Sequence, residues 1–347
     1  MLIIGCDFHP GFQQVAIFDN RTGEIEEKRL QHRAEAEQYY RSLAGQQVRV
    51  GMETCGHYPW FELLLRELGI ELWFGDAAKV RASVVRKQKT DRRDAQHLLQ
   101  LLMEERFPRM WVPSLEVRDA RQLLVHRHKQ VQSRTRTKNQ LQAMALSQGV
   151  QKKRKLWTQV GREELEQLPL LPYAAQRRQQ LLRALDELEA GMVELDRRVA
   201  EEARQRPEAV RLMTHPGVGP VTALAMVLTL GPAERFQSAR QVGSYFGWIP
   251  SEDSSGGKQR RGRISKQGSS FLRFLLVEAG QTAARLDPQL KRFSKRLAMR
   301  RKRSIAKVAV ARKLATRLYL MLREDWTYAQ LNQAVMQVSP SHSVAGE

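Results

Sequence analysis

The sequence predicts an α/β domain on a mixed sheet, followed by a helical arm and then a mainly helical domain. Three observations carry this. Short apolar runs of strand character alternate with helical sequence up to about residue 113. Strand signals then stop near Ser114, and Leu181, Leu185, Leu188, Met192, Leu195 and Val199 follow at alternating spacings of four and three. A second compact region runs from about Pro207 to Leu322, with HPGVGPVTALAMVLTLG near its start and helical sequence at its end. The expected boundaries are 1–113, 114–206 and 207–325, with a polar tail over 326–347.

The elements follow in order. LIIGCDFH and QQVAIFD, joined by Pro10-Gly11, read as a β-hairpin, and EIEEKRL adds a third antiparallel strand. A helix over Ala34–Leu43 leads to the strand VRVGMET, the helix FELLLRELG closing on Gly69, and the strand IELWFGD. A meander followed by alternating helix and strand makes a mixed sheet with helices on its faces. KTDRRDAQHLLQLL is the next helix, with Thr90 as its N-cap. Residues 115–148 read as helical but very polar, with Arg127, Lys129, Arg134, Arg136 and Lys138 clustered. The leucine seam is that of a coiled coil or of one amphipathic helix on its own core. Its heavily charged outer faces favour a helical-hairpin arm. In HPGVGPVTALAMVLTLG, Gly217 and Gly219 form either a plain interhelical turn or a helix-hairpin-helix turn, whose backbone N–H groups would meet a phosphate.

A chain of 347 residues with 42% apolar content can bury a core in each of two domains. Its formal net charge of +21 calls for a polyanionic partner, and nucleic acid rewards each phosphate contact through counterion release. A membrane partner is not expected, since no apolar run approaches the roughly 20 residues that span a bilayer. The opening MLIIGCDFHP lacks the basic leader of a signal peptide, and two cysteines, Cys6 and Cys55, imply a reducing, cytoplasmic setting.

Two carboxylates, Asp91 and Asp94, stand beside Arg92 and Arg93 at the start of an apolar-periodic helix. Acids suit a first helical turn, so a solvated helix start is the simplest account. Two further acids make it insufficient. Asp7 lies in an apolar central strand, and Glu53 ends another. An ionised carboxylate loses solvation there unless a buried cation or a metal compensates it. Residues three apart share a helix face, so Asp91 and Asp94 can both point at the sheet. Hard oxygen ligands converging from separate elements are what Mg²⁺ takes, and two such ions can clamp a phosphodiester. Strand, strand and helix acids in this order are those of an RNase H-like nuclease core.

IGCDFH, GMETCGHYPW and KTDRRDAQHL together resemble the Asp, Glu, Asp, Asp signature of the RuvC-like domain in bridge-RNA-guided DEDD transposases of bacterial insertion sequences. HPGVGPVTALAMVLTLG, RFQSARQVGSYFGWIP and SSGGKQRRGRISKQGSSFLR are similar to that family's second, transposase domain. The likeness runs from Leu2 to about Leu322. It departs at Phe8-His9, where the family pattern has a smaller residue and often a nearby lysine.

The resemblance implies Asp7, Glu53, Asp91 and Asp94 as Mg²⁺ ligands and a serine before the first loop glycine as nucleophile, which is Ser255. It implies donor and target DNA and a guide (bridge) RNA as partners. It also implies a homodimer or homotetramer in which the acids of one subunit meet the serine of another. From the residues alone, Ser254, Ser265 and Ser269 remain alternatives to Ser255. Lys258, Arg260, Arg261, Arg263 and Lys266 follow the loop as phosphate-binding cations, and Arg134, Arg136 and Lys138 offer an RNA surface. The reading is an RNA-guided DNA transposase. A hydrolytic structure-selective nuclease using the acids alone, or a non-catalytic nucleic-acid scaffold, are the alternatives.

Overall fold

The computed structural model describes residues 1–54, 58–84, 90–152, 155–252 and 260–338, which fall into two compact units, Met1–Leu115 and Glu116–Glu347. In the first unit, β1 (Leu2–Phe8), β2 (Phe12–Asp19) and β3 (Ile25–Gln31) form an antiparallel meander. After α1 (Ala34–Ser42), β4 (Val48–Glu53) returns parallel to β1, and after α2 (Pro59–Glu67), β5 (Glu71–Gly75) lies parallel to β4. The strand order β3-β2-β1-β4-β5 puts β1 at the centre of a mixed sheet, as the sequence leads one to expect. Two helices, α3 (Ala77–Ala82) and α4 (Asp91–Met103), complete the unit.

Period-two alternation divides the sheet between two cores. Ile4, Cys6, Val50 and Met52 are buried with Tyr40 and Phe61 on the side of α1 and α2. Ile3 and Ala16 are buried with Ala95, Leu98, Leu99 and Leu102 of α4 on the other. By the same alternation Gly5 and Asp7 of β1, and Gly51 and Glu53 of β4, belong to the α4 side.

The second unit opens with α5 (Leu115–Ser147). A short 3₁₀ turn and α6 (Gln159–Gln167) lead to α7 (Pro172–Arg204). The two helices α5 and α7, 33 residues each, run antiparallel. Arg127 pairs with Asp196 and Lys138 with Glu189, while Leu141 and Ala145 share a core with Leu182 and Leu185. On α7, Leu185, Met192 and Val199 are buried at intervals of seven, and Leu182 rather than Leu181 is the fully buried leucine near the tip. There α6 supplies Leu165 as an extra neighbour and turns the buried face.

The root of the hairpin joins the main core. Ala120, Leu124, Val199 and Ala203 are buried with residues of α8 (Pro207–Met213), α9 (Pro220–Leu230), α10 (Ala239–Tyr245), α11 (Ser270–Leu286), α12 (Pro288–Arg300) and α13 (Arg303–Arg323). Between α10 and α11, β6 (Pro250–Glu252) is exposed and pairs antiparallel with β7 (Arg261–Ile264), whose Ile264 packs partly buried against that core. The arm and the helical domain are thus continuous through one core. Last comes α14 (Tyr328–Val338), where a polar tail was expected from 326. The reason is packing: Leu331 is fully buried, and the Tyr328 hydroxyl donates to Asp287 Oδ2 at 2.6 Å. Asp287 is itself buried, caps α12 through Leu290 N–H at 2.6 Å and pairs with Arg317 at 2.8 Å. Burial pushes its carboxyl up, but the bonds from Tyr328, Leu290 and Arg317 outweigh this and leave it below the usual range. No described helix is long and apolar enough to cross a membrane.

Candidate active site

Helix α4 can lie on β1 because β1 offers it a glycine. A Cβ on Gly5 would sit 2.4 Å from both Ala95 O and Leu99 N, so helix backbone rests directly on strand backbone. Gly51, its register partner on β4, leaves the space filled by Leu102 and Phe107. Thr90 caps the helix, its hydroxyl accepting from Arg93 N–H at 3.3 Å. The first turn therefore starts beside the carboxyl end of β1.

The acids meet at that end. Asp7 follows Cys6 on β1 and Glu53 follows Met52 on β4, and Cys6 and Met52 are register partners. Asp91 enters from α4. Ligand atoms of Asp7, His9 and Asp91 all lie within 4.8 Å of one another. His9 Nε2 is 3.0 Å from Asp7 Oδ2 and 3.5 Å from Asp91 Oδ1. The imidazole stacks on Phe12 at 4.6 Å, and the Arg29 guanidinium covers that ring at 3.8 Å, which fixes the orientation of His9. Burial raises the Asp7 carboxyl above its ordinary range. His9 pulls it down, and the charges of Asp94 and Asp91 push it up again. Asp94 thus acts on the same spot, although it stands outside the tight trio, as does Glu53.

Sequence reasoning passed over His9 as a departure from the family pattern. Its place two residues after Asp7, just beyond the end of β1, is a signal, since residues two apart on extended chain face the same way. Carboxylates from strand and helix with one imidazole form a donor set that fits a divalent cation. The oxygens suit Mg²⁺ or Mn²⁺, and the nitrogen is also acceptable to the latter.

Gly5 gives the arrangement a direct test. Gly5→Ala should destabilise the protein by about 3 kcal/mol, since the obstructing atoms are backbone and cannot rotate away. Denaturant titration measures this, with Gly11→Ala, which meets nothing within 4 Å, as a control expected to change stability by less than about 0.5 kcal/mol.

In the second unit, Ser254, Ser255 and Lys258 lie outside the described residues, in the segment joining β6 to β7. The base of this hairpin is held by Arg273, whose guanidinium reaches Phe246 O at 3.1 Å, Gly268 O at 3.2 Å and Gln267 O. Ser269 caps α11, accepting from Leu272 N–H at 3.1 Å, and Ser265 Oγ is shielded from solvent. Arg263 and Lys266 are exposed. Gly217, at φ +86°, has Ala279 and Ala283 of α11 where a Cβ would be, so helix packing accounts for this glycine. Gly219 remains exposed before α9 with nothing within 4 Å of its missing Cβ. On the arm, Lys138 is engaged by Glu189 at 2.6 Å and lies over Trp157. Arg136 lies in an open trough with Gln132, Asn139 and Arg177.

The sheet order and the acidic cluster at the end of its first strand are consistent with a DEDD-type, RNase H-like domain. Residues 4–148 match the DEDD transposase domain of the IS110 group, and residues 209–295 match the domain described as Transposase IS116/IS110/IS902 family. Together the matches span about two thirds of the chain, which carries both transposase domains of the IS110 group. It is 27% identical to a "Probable family 20 transposase" of Pseudomonas aeruginosa over 94% of this chain and 98% of that protein. It is 26% identical to the transposase for insertion sequence element IS1111A of Coxiella burnetii, over 85% of this chain and 84% of that protein. Similarity extends to a pilin gene-inverting protein of Moraxella lacunata, at 25% identity over 58% of this chain and 71% of that protein.

Proposed function

We propose that this transposase is guided by RNA and cuts and rejoins DNA through a phosphoserine at Ser255, with Mg²⁺ held by Asp7, Glu53, Asp91 and Asp94. The observation that carries the metal half is the meeting of Asp7 and Asp91, from a strand and a helix, in a chain with both transposase domains. When bound, Mg²⁺ supplies charge to a phosphodiester oxygen and its leaving group. The chain's own residues do the rest. His9 holds Asp7 and Asp91 in register, and α4, seated on Gly5, brings Asp91 to the carboxyl end of β1.

Ser255 Oγ forms a bond to phosphorus as the bond to one deoxyribose oxygen breaks, and the serine proton passes to that oxygen. Water attack would discard the ester. A phosphoserine keeps it reactive, so the hydroxyl of another strand can displace the serine and rejoin DNA without an external energy source. Joining two duplexes calls for a homodimer or homotetramer. Incubation with the cognate element, the RNA that copurifies and Mg²⁺ should give strand exchange. Absence of any strand cleavage under these conditions would leave a nucleic-acid-binding scaffold as the better reading.

The arm is the RNA surface in this proposal, through Arg134 and Arg136 rather than the paired Lys138. Arg134→Glu with Arg136→Glu should weaken RNA binding about tenfold and flatten its salt slope by about 1.4, two phosphate contacts on a single strand. Unchanged affinity and slope would show that these arginines are merely solvated.

A further inference from the structure

Helix α12 has the charge pattern of a ligand-seeking element. Between Pro288 and Arg303 there are eight lysines and arginines and no acid. The inward face is Leu290, Phe293, Ser294 and Leu297, of which only Leu290 is fully buried. Opposite it, Lys291, Arg292, Lys295 and Arg296 are all exposed, and among the described residues none of the four forms an ion pair or hydrogen bond. In their midst stands Met299, 80% exposed.

This arrangement works against the helix itself. Lys291 and Lys295, Arg292 and Arg296, and Arg296 and Arg300 are like-charge pairs four apart, and the first two cations face the positive end of the helix dipole. Burial first, then the fields of Arg317 and Arg296, hold the Lys313 ammonium below the usual lysine range. Lys313 lies over Phe293 at 4.6 Å, so the positive field reaches the inner side of α12 too. Local cost without a compensating internal contact marks a surface whose partner lies outside the chain.

We propose that α12 docks in the major groove of duplex DNA, with its flanking cations on the phosphates and Met299 toward the base edges. Thirteen residues make a rod about 20 Å long, and with side chains its diameter is about 10–12 Å. That fits a B-DNA major groove about 12 Å wide, whereas the major groove of an RNA duplex is too narrow to admit a helix. A methionine amid cations has little use on a surface that only neutralises charge. In a groove it can contact thymine methyls.

The inference rests on the transposase reading for its ligand but not on the serine or metal chemistry, so it is tested by binding without metal. The full chain and Arg292→Gln/Lys295→Gln/Arg296→Gln are titrated with a 30-base-pair DNA duplex and its RNA counterpart over a range of salt. The variant should lose at least about tenfold in DNA affinity, with a salt slope shallower by about 2.7, and keep its RNA affinity and circular dichroism. Guanine N7 protection from methylation, a major-groove signal, should appear with the parent and fade in the variant. Unchanged DNA binding would overturn the proposal. So would equal losses on both duplexes, the mark of an unspecific polyanion patch, or a loss confined to RNA, the mark of an RNA site. Parent protein that binds DNA tightly yet leaves guanine N7 open would overturn the groove assignment. Strand cleavage plays no part in any of these outcomes, so failure of the phosphoserine mechanism would leave them intact.

Discussion

Asp91→Asn and Asp94→Asn proteins are expected to lose DNA strand cleavage by at least about 10²–10³-fold, the scale for removing one preorganised charged group from a reacting centre. Chelation of divalent metal should do the same to the parent protein. Stability separates a metal site from a structural one. Asp7 is partly buried and already strained by the neighbouring charges of Asp94 and Asp91, with His9 opposing them. Removing one of these negative charges therefore relieves repulsion. In metal-free buffer at neutral pH, the thermal midpoint of each Asn variant should stay level or rise. Added Mg²⁺ should raise the midpoint of the parent by more than that of either variant, because a ligand bound only to the native state stabilises it by mass action. A marked fall in metal-free stability would instead mean that Asp91 and Asp94 serve as ion-pair partners.

How much of this is legible in the sequence depends on the range of the determining contacts. The sheet is legible because one-sided burial imposes period two: Ile4 and Cys6 against Ile3 and Asp7 can be told apart from the chain alone. The acids are legible because carboxylates in apolar strands need an explanation. Gly5 is not, since nothing local shows that Ala95 and Leu99 will rest on it. The same holds for the packing at Gly217, whose neighbours Ala279 and Ala283 lie far along the chain. Lys138 looks like any other cation of a basic helix until α7 brings Glu189 to it. The helix α14 is missed because its polar sequence hides one deeply buried leucine, Leu331, and a tyrosine tied to Asp287. In each case a contact distant in sequence adds what local composition does not show.

Ser255→Ala should abolish strand exchange, with a loss on the order of 10⁶, the scale for deleting a catalytic nucleophile. It should still bind DNA, as one hydroxyl contributes little to a phosphate-dominated affinity. The parent, stalled on its substrate, should carry a DNA end that denaturant cannot remove. Tryptic mapping should place this adduct between Arg240 and Lys258. Four serines lie in that stretch, and they separate by role. Ser244 is in α10 and Ser251 in β6, where the Ser251 hydroxyl donates to Arg263 O at 3.2 Å. Ser254→Ala should retain measurable activity, since its hydroxyl is at most a supporting donor. Beyond Lys258, Ser269 is committed to capping α11, so Ser269→Ala should lower stability by about 1 kcal/mol and leave the adduct in place. A hydrolytic nuclease relying on the acids alone predicts free DNA ends, no adduct, and near-normal cutting by Ser255→Ala. Cleavage that persists in that variant with Mg²⁺ would establish the nuclease. An adduct that survives Ser255→Ala but vanishes in Ser254→Ala would move the nucleophile by one residue and keep the mechanism.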